Sequence, residues 1–267
     1  MMRIGGRVGF DRVEDLEELF KSIDFPIELA LPWKYRDLWL PVEGKVDKII
    51  DFLKEKDIAI LSIHAPQGKI TEDSFLRWGK LTIDIAQSLG VDNITIHPNN
   101  VKGQKAWHQE KTLRYIKRLG GDNIFSIETF GGKTRVFSPA ELVRRKIPMT
   151  LDTAHIRDRR EVMNIVINNQ HNIKTVHLSS IDKDEHHLPI DDFCLTVVDK
   201  LIELKWSGNI ILEYLPWHHY RIREDLRALS EYIASGGSAS GCSLRLLPLS
   251  DQFKGDPIHY GYNIDGT

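Results

Sequence analysis

Six apolar runs in succession close on a residue that can bind a metal or move a proton. Ile58–His64 ends in His64, Asn93–His97 in His97, and Asn123–Glu128 in Glu128. Met149–Asp152 ends in Asp152, with His155 three residues on. Lys174–Leu178 brings His177 to its end, and the loop beyond carries Asp184-Glu185-His186-His187. Asn209–Glu213 ends in Glu213. One Glu or His closing one apolar run is ordinarily structural. A series of them is different, because burying many ionisable groups around one mouth is costly without compensating charge. Divalent cations supply that compensation, and mixed imidazole and carboxylate ligands suit Zn, Mn or Fe better than Mg or Ca.

These runs belong to a longer alternation. Preceding them are Arg3–Val8 and Ile27–Leu31, giving eight β-like runs. Several are almost continuously apolar, as in Ile58-Ala59-Ile60-Leu61 and Ile210-Ile211-Leu212, the pattern of parallel strands buried on both faces. Helical signals fall between them. Asp11–Ile23 and Ser74–Leu89 carry apolar residues at helical spacing, and Gly90 stops the second. Ser138-Pro139-Ala140-Glu141 combines an N-cap Ser, a first-turn Pro and a capping-box Glu. Asp192–Leu204 and Arg221–Ala234 follow. Strict β-then-α repetition implies right-handed crossovers, and eight such units predict a (β/α)8 TIM barrel, with its site at the C-terminal ends of the strands. An open doubly wound sheet is the competing architecture. It normally opens with a Gly-rich turn, and Gly5-Gly6 does not fit G-x-G-x-x-G.

The barrel is expected over residues 1–234, and residues 235–267 as a Ser/Gly-rich linker and an irregular C-terminal tail. The chain has 36 Lys+Arg, 38 Asp+Glu and a net charge of −2, so no global field draws it onto nucleic acid or an anionic membrane. No run of apolar residues is long enough to span a bilayer. Two cysteines, Cys194 and Cys242, do not make a disulfide framework, and a reducing cytoplasm is the expected location.

The strand-end set resembles the xylose-isomerase-like barrel superfamily and, within it, endonuclease IV (AP endonuclease family 2). His64-Ala65-Pro66 and Asp152-Thr153-Ala154-His155 are the closest local matches, and the likeness spans roughly residues 27–216. The resemblance implies metal ligands at His64, His97, Glu128, Asp152, His155, His177, Asp184, His186 and Glu213. In that scheme Glu128 bridges two metals. His64 and His97 complete one, Asp152, His177 and Glu213 the other, and His155, Asp184 and His186 hold a third. Within the loop, Asp182 and His187 compete with Asp184 and His186 for their places. The chain departs from the family at Gln67, where a DNA-wedging aromatic is common, and at Pro189–Phe193, where Gly-x-Gly usually follows.

Two chemistries follow. The first is phosphodiester hydrolysis at abasic sites in DNA by up to three divalent transition metals, Zn foremost. Its substrate contacts are expected at Lys34, Tyr35, Arg36 and Gln67, then at Lys102, Lys105 and Trp107, and then along Trp217–Arg221. The second is isomerisation or epimerisation of a sugar or sugar phosphate. It uses one metal on Glu128, Asp152, His177 and Glu213, with Glu128 and Glu213 as the acid/base pair.

Overall fold

The computed structural model describes residues 1–10, 12–32, 45–66, 68–131 and 135–237. Lys34, Tyr35, Arg36, Gln67 and residues 238–267 of the linker and tail expected at 235–267 lie outside the described residues.

Eight parallel strands close into a barrel. The first seven in chain order are β1 (Arg3–Gly9), β2 (Ile27–Ala30), β3 (Ile60–His64), β4 (Ile94–Ile96), β5 (Phe125–Glu128), β6 (Met149–Asp152) and β7 (Ile173–Leu178). A separate hairpin of β8 (Ser180–Ile181) and β9 (His186–Leu188) follows, and β10 (Asn209–Leu212) is the eighth barrel strand. Closure is made by β1 against β10, with Ile4 opposite Ile210 and Gly5 opposite Ile211. Gly5 is required there, because a Cβ would lie 2.5 Å from the Pro26 carbonyl oxygen. Eight helices surround the strands: α1 (Leu16–Phe20), α2 (Val46–Glu55), α3 (Ser74–Ser88), α4 (Lys105–Arg118), α5 (Pro139–Arg145), α6 (Arg159–Asn169), α7 (Asp192–Glu203) and α8 (Ile222–Ala234). This is the expected (β/α)8 TIM barrel. No helix among the described residues is long and apolar enough to cross a membrane.

Local signals act where the sequence places them. Ser138 and Glu141 form the capping box of α5, with the Ser138 amide donating to Glu141 Oε2 at 2.8 Å. Gly90 takes φ +69 just past α3, which lets the Val91 amide reach back to the Ala86 carbonyl. The β8–β9 hairpin between β7 and α7 is an element the sequence does not announce. Asp182 folds it, as its Oδ1 accepts the backbone amides of Asp184 and Glu185, both at 2.7 Å.

The barrel interior is polar in its middle layer. Thr95 of β4 and Thr150 of β6 hydrogen-bond at 2.9 Å across the intervening β5, and Ser126 reaches Thr150 at 2.7 Å. These residues precede the strand-end ionisable groups by two positions: Ser62 before His64, Thr95 before His97, Ser126 before Glu128, Thr150 before Asp152 and Thr175 before His177. Side chains two apart on a strand share a face. The small hydroxyl layer therefore sits directly beneath the ionisable layer, while the alternate residues, such as Ile63, Ile96, Ile127, Leu151 and Val176, are wholly buried outside the barrel wall.

The helix layer is tied to that wall by aromatic packing. Phe75 of α3, fully buried, meets Trp78 at 4.6 Å between centroids, Tyr115 of α4 at 6.4 Å and Phe125 of β5 at 5.6 Å. Phe75→Ala is expected to lower stability by about 3–5 kcal/mol, as for other buried aromatic truncations. Equilibrium urea unfolding measures this, and a loss under about 1 kcal/mol would show that α3 repacks freely.

Candidate metal centre

The strands deliver their ionisable ends to one point. Glu128, at the end of β5, has no exposed surface. Its Oε2 lies 2.6 Å from His97 Nε2 and 3.3 Å from His64 Nε2. Its Oε1 lies 3.1 Å from His155 Nδ1 and 3.5 Å from His177 Nδ1. His177 Nδ1 in turn lies 2.6 Å from Glu213 Oε2 and 3.8 Å from Asp152 Oδ2. Asp152 also fixes the turn beyond β6: its Oδ1 accepts the Ala154 and His155 amides at 2.7 and 2.9 Å.

Among the described residues, three sets of side chains could each hold a metal ion, every set offering ligand atoms within 4.8 Å of one another. They are His64, His97 and Glu128; Glu128, Asp152, His177 and Glu213; and Asp152, His155 and His187. The donor atoms themselves fit such ions. Glu128 Oε1, Asp152 Oδ2, His155 Nδ1, His177 Nδ1 and Glu213 Oε2 are all buried and make no hydrogen bond, although they crowd together. Ligands held tetrahedrally about 2.1 Å from a metal lie about 3.4 Å apart, and the separations above bracket that figure. Buried nitrogen and oxygen donors that converge in this way are what a cation would satisfy.

Seven of the expected ligands meet here: His64, His97, Glu128, Asp152, His155, His177 and Glu213. Asp184 and His186 do not join them. Asp184 is exposed and faces Lys183 at 3.5 Å, and His186 is exposed on the hairpin. His187 enters instead, buried, with its Nε2 3.0 Å from His155 Nε2. The His186 and His187 rings lie 5.3 Å apart and His186 reaches within 6.1 Å of His155, but of the pair it is His187 that is buried and offers a nitrogen to the Asp152/His155 set. His187 holds φ +58, an unfavourable backbone angle for a non-glycine residue. Asp182 is exposed and committed to the turn.

Two buried charges are not recognisable in the sequence. Glu28 of β2 crosses the barrel to His177 Nε2 at 3.1 Å, and Arg7 of β1 pairs with Glu213 Oε1. Both sit mid-strand, where a lone charged residue reads as a surface position, and only the barrel closure shows that they point inward. Phe130 is a third omission. Its ring stacks on His155 with centroids 3.8 Å apart, meets His97 edge-on at 5.0 Å, and carries the Arg135 guanidinium on it at 4.3 Å.

The expected substrate contacts on the rim divide. Trp107 and Tyr220 are half exposed, as is Trp217, whose Nε1 donates to Glu185 at 3.0 Å. Lys105 is paired with Glu141 at 2.8 Å. Arg221, by contrast, is buried and paired with Asp225 at 3.0 Å, so it serves the fold rather than the rim.

Electrostatics follow from burial and pairing. Burial pushes His64 down to about 3, with the Arg7 charge adding to the effect. Burial also takes His187 down to about 3. Burial would raise Glu28, but the His177 charge and hydrogen bond bring it down to about 2. For Glu128, burial is likewise outweighed by the surrounding histidines, and its carboxyl stays well below the usual range. His177 goes the other way: burial opposes its charge, yet Glu28, Asp152 and Glu128 hold it well above the ordinary value.

No family model matches the chain, and no curated protein matches it. Solved structures do. Endonuclease IV from Thermus thermophilus aligns over 87% of this chain and 99% of its own, at 17% identity and a TM-score of 0.60. A D-tagatose 3-epimerase-like protein aligns over 88% and 98%, at 17% identity and a TM-score of 0.65. A 3-keto-D-glucoside 4-epimerase from E. coli aligns over 86% and 100%, at 12% identity and a TM-score of 0.61. The chain thus shares the (β/α)8 barrel fold of this endonuclease and these epimerases. At these identities the likeness is one of fold.

Two outcomes follow from the geometry. His64 and His187 have folded values below the unfolded one near 6.5, so the unfolded chain takes up protons first as pH falls. His177 is charged in both states below that point and adds no change there. Metal-free protein should therefore lose stability progressively between about pH 6.5 and pH 3, read as the urea midpoint at stepped pH; a flat profile would contradict the buried neutral histidines. Second, His187→Ala should remove one equivalent of bound metal, while His186→Ala leaves the content unchanged. Elemental analysis of the two variants decides, and the reverse result would restore His186 as the ligand.

Proposed function

We propose that this protein is a metal-dependent hydrolase that cleaves phosphodiesters at abasic sites in DNA. The observation that carries this reading is the number of ligand sets. The central set shares Glu128 with the His64/His97 set and Asp152 with the His155/His187 set, which suits a multinuclear centre. A single-metal isomerase needs only the central set and leaves His64, His97, His155 and His187 with no metal to bind at the mouth. Imidazole and carboxylate donors of this kind favour Zn, with Mn or Fe as alternatives.

Divalent ions held in these sets would make a water acidic enough to attack at neutral pH, and would neutralise charge on the phosphate and the departing oxygen. The chain's own groups have distinct parts in this. Glu128 would bridge the His64/His97 pair to the central set, with its two oxygens facing different histidines. It would also orient the attacking water. Glu213 would hold the far side of the central set. Phe130 covers His155 and His97 and keeps bulk water off that flank. Trp107, Trp217 and Tyr220 expose aromatic surface on segments after the strands, and such surfaces stack bases without regard to sequence. With a net charge of −2, the grip on DNA would be local, from rim aromatics and the centre itself.

One observation favours a second reading. The central set of Glu128, Asp152, His177 and Glu213 is complete without the other two, and the fold is equally that of sugar epimerases. In that reading Glu128 and Glu213 pass a proton between the two faces of a substrate carbon.

A duplex with a single abasic site, incubated with metal-loaded protein, separates the readings. Incision next to that site is expected, with chelator or Glu128→Gln reducing it to background. An intact duplex, together with interconversion of a ketose pair by the same preparation, would replace the hydrolase with the epimerase.

A further inference from the structure

β1 and β2 contribute no residue to any of the three ligand sets, yet each sends one buried charge into the centre. Glu28 has no exposed surface and spans the barrel from β2 to His177 on β7. Its Oε1 and Oε2 lie 3.1 and 3.2 Å from His177 Nε2, and Ser62 Oγ donates to Oε2 at 2.7 Å. An ionised carboxylate only accepts, so Nε2 of the ring must carry the proton. A cation binding the ring must displace the other proton, and the nitrogen then left to offer a lone pair is Nδ1, the atom that faces Glu213 Oε2, Glu128 Oε1 and Asp152 Oδ2. Arg7 treats Glu213 in the same manner. Its Nη1 donates to Oε1, and this leaves Oε2 to face His177.

A buried ion pair is seldom worth more to stability than apolar residues of the same volume. Glu28 and Arg7 need another reason to occupy interior positions on two strands, and each contacts a central ligand on the atom other than the one that faces the rest of the central set. We propose that Glu28 and Arg7 are positioning residues for the central metal, Glu28 holding His177 as an Nδ1 ligand and Arg7 holding Glu213 as an Oε2 ligand. A carboxylate behind a ligating imidazole fixes its tautomer and its ring orientation and raises its basicity. The proposal rests on the metal-centre part of the proposed function and is independent of which reaction the centre performs. Glu28 is the cleaner probe of the two, because Arg7 repels a cation while it orients Glu213.

The test uses the full chain and Zn(II) alone. In Zn-loaded wild type, long-range 1H–15N NMR should show His177 protonated at Nε2 and metal-bound at Nδ1. Competition with a chelator should show Glu28→Ala losing affinity for one Zn equivalent by roughly 10–100-fold, with the remaining equivalents held as in wild type. Glu28→Gln keeps an acceptor and should fall between the two. A merely structural Glu28 would not dictate which nitrogen binds metal, and the wild-type spectrum decides this even if the variants fail to fold. Metal on Nε2 of His177, or unchanged Zn affinity in Glu28→Ala, would overturn the proposal while leaving the metal centre intact. A chain that takes up no Zn would overturn both.

Discussion

Ring nitrogens of four histidines, from β3, β7 and the turns after β4 and β6, lie within 3.5 Å of one fully buried carboxylate, that of Glu128. An ionised group in that position is tolerated only if opposite charge or hydrogen bonds surround it. The histidines supply part of this and hold the Glu128 carboxyl well below its usual range against the effect of burial. They do not complete it, since Glu128 Oε1 and its neighbours Asp152 Oδ2 and Glu213 Oε2 remain without hydrogen bonds. The barrel mouth is therefore a concentration of negative charge and lone pairs that a divalent ion would resolve, and the rest of the site follows from that demand.

The scaffold meets it by repetition. Each of five strands places a Ser or Thr two residues before its ionisable end, so a layer of small hydroxyls lies beneath the centre and leaves room for the larger groups above. The outward residues between them are aliphatic and buried against the helices. Strands β1 and β2 offer no ligand, and instead supply Arg7 and Glu28 from behind. The hairpin after β7 brings His187 to the third set through a left-handed backbone, a sign that its position is held by the surroundings rather than by local preference.

Much of this is legible in the chain. Eight apolar runs at regular spacing dictate the barrel, and the strand-end residues mark its mouth because a (β/α)8 fold carries all such ends on one face. Five helices read from periodicity or a capping box, whereas α2, α4 and α6 are not among them, although α2 carries a clear apolar face in Ile49, Ile50 and Leu53. In α4 the apolar residues are too sparse among lysines and arginines to announce a face. The hairpin register stays open in the sequence because Asp182, Asp184, His186 and His187 all fit a spacing argument. It takes the folded hairpin, with its left-handed backbone at His187, to bury that ring beside His155. Glu28 and Arg7 are hidden for a related reason: their partners lie 149 and 206 residues away.

The same fold carries an endonuclease and sugar epimerases, so the two proposed reactions are separated by how many ions the mouth takes up. Elemental analysis of purified protein, saturated with Zn and then desalted, measures this directly. The account predicts close to three equivalents per chain. One equivalent would confine metal to the central set and favour the epimerase reading, and none would contradict the claim that these buried groups form a metal centre.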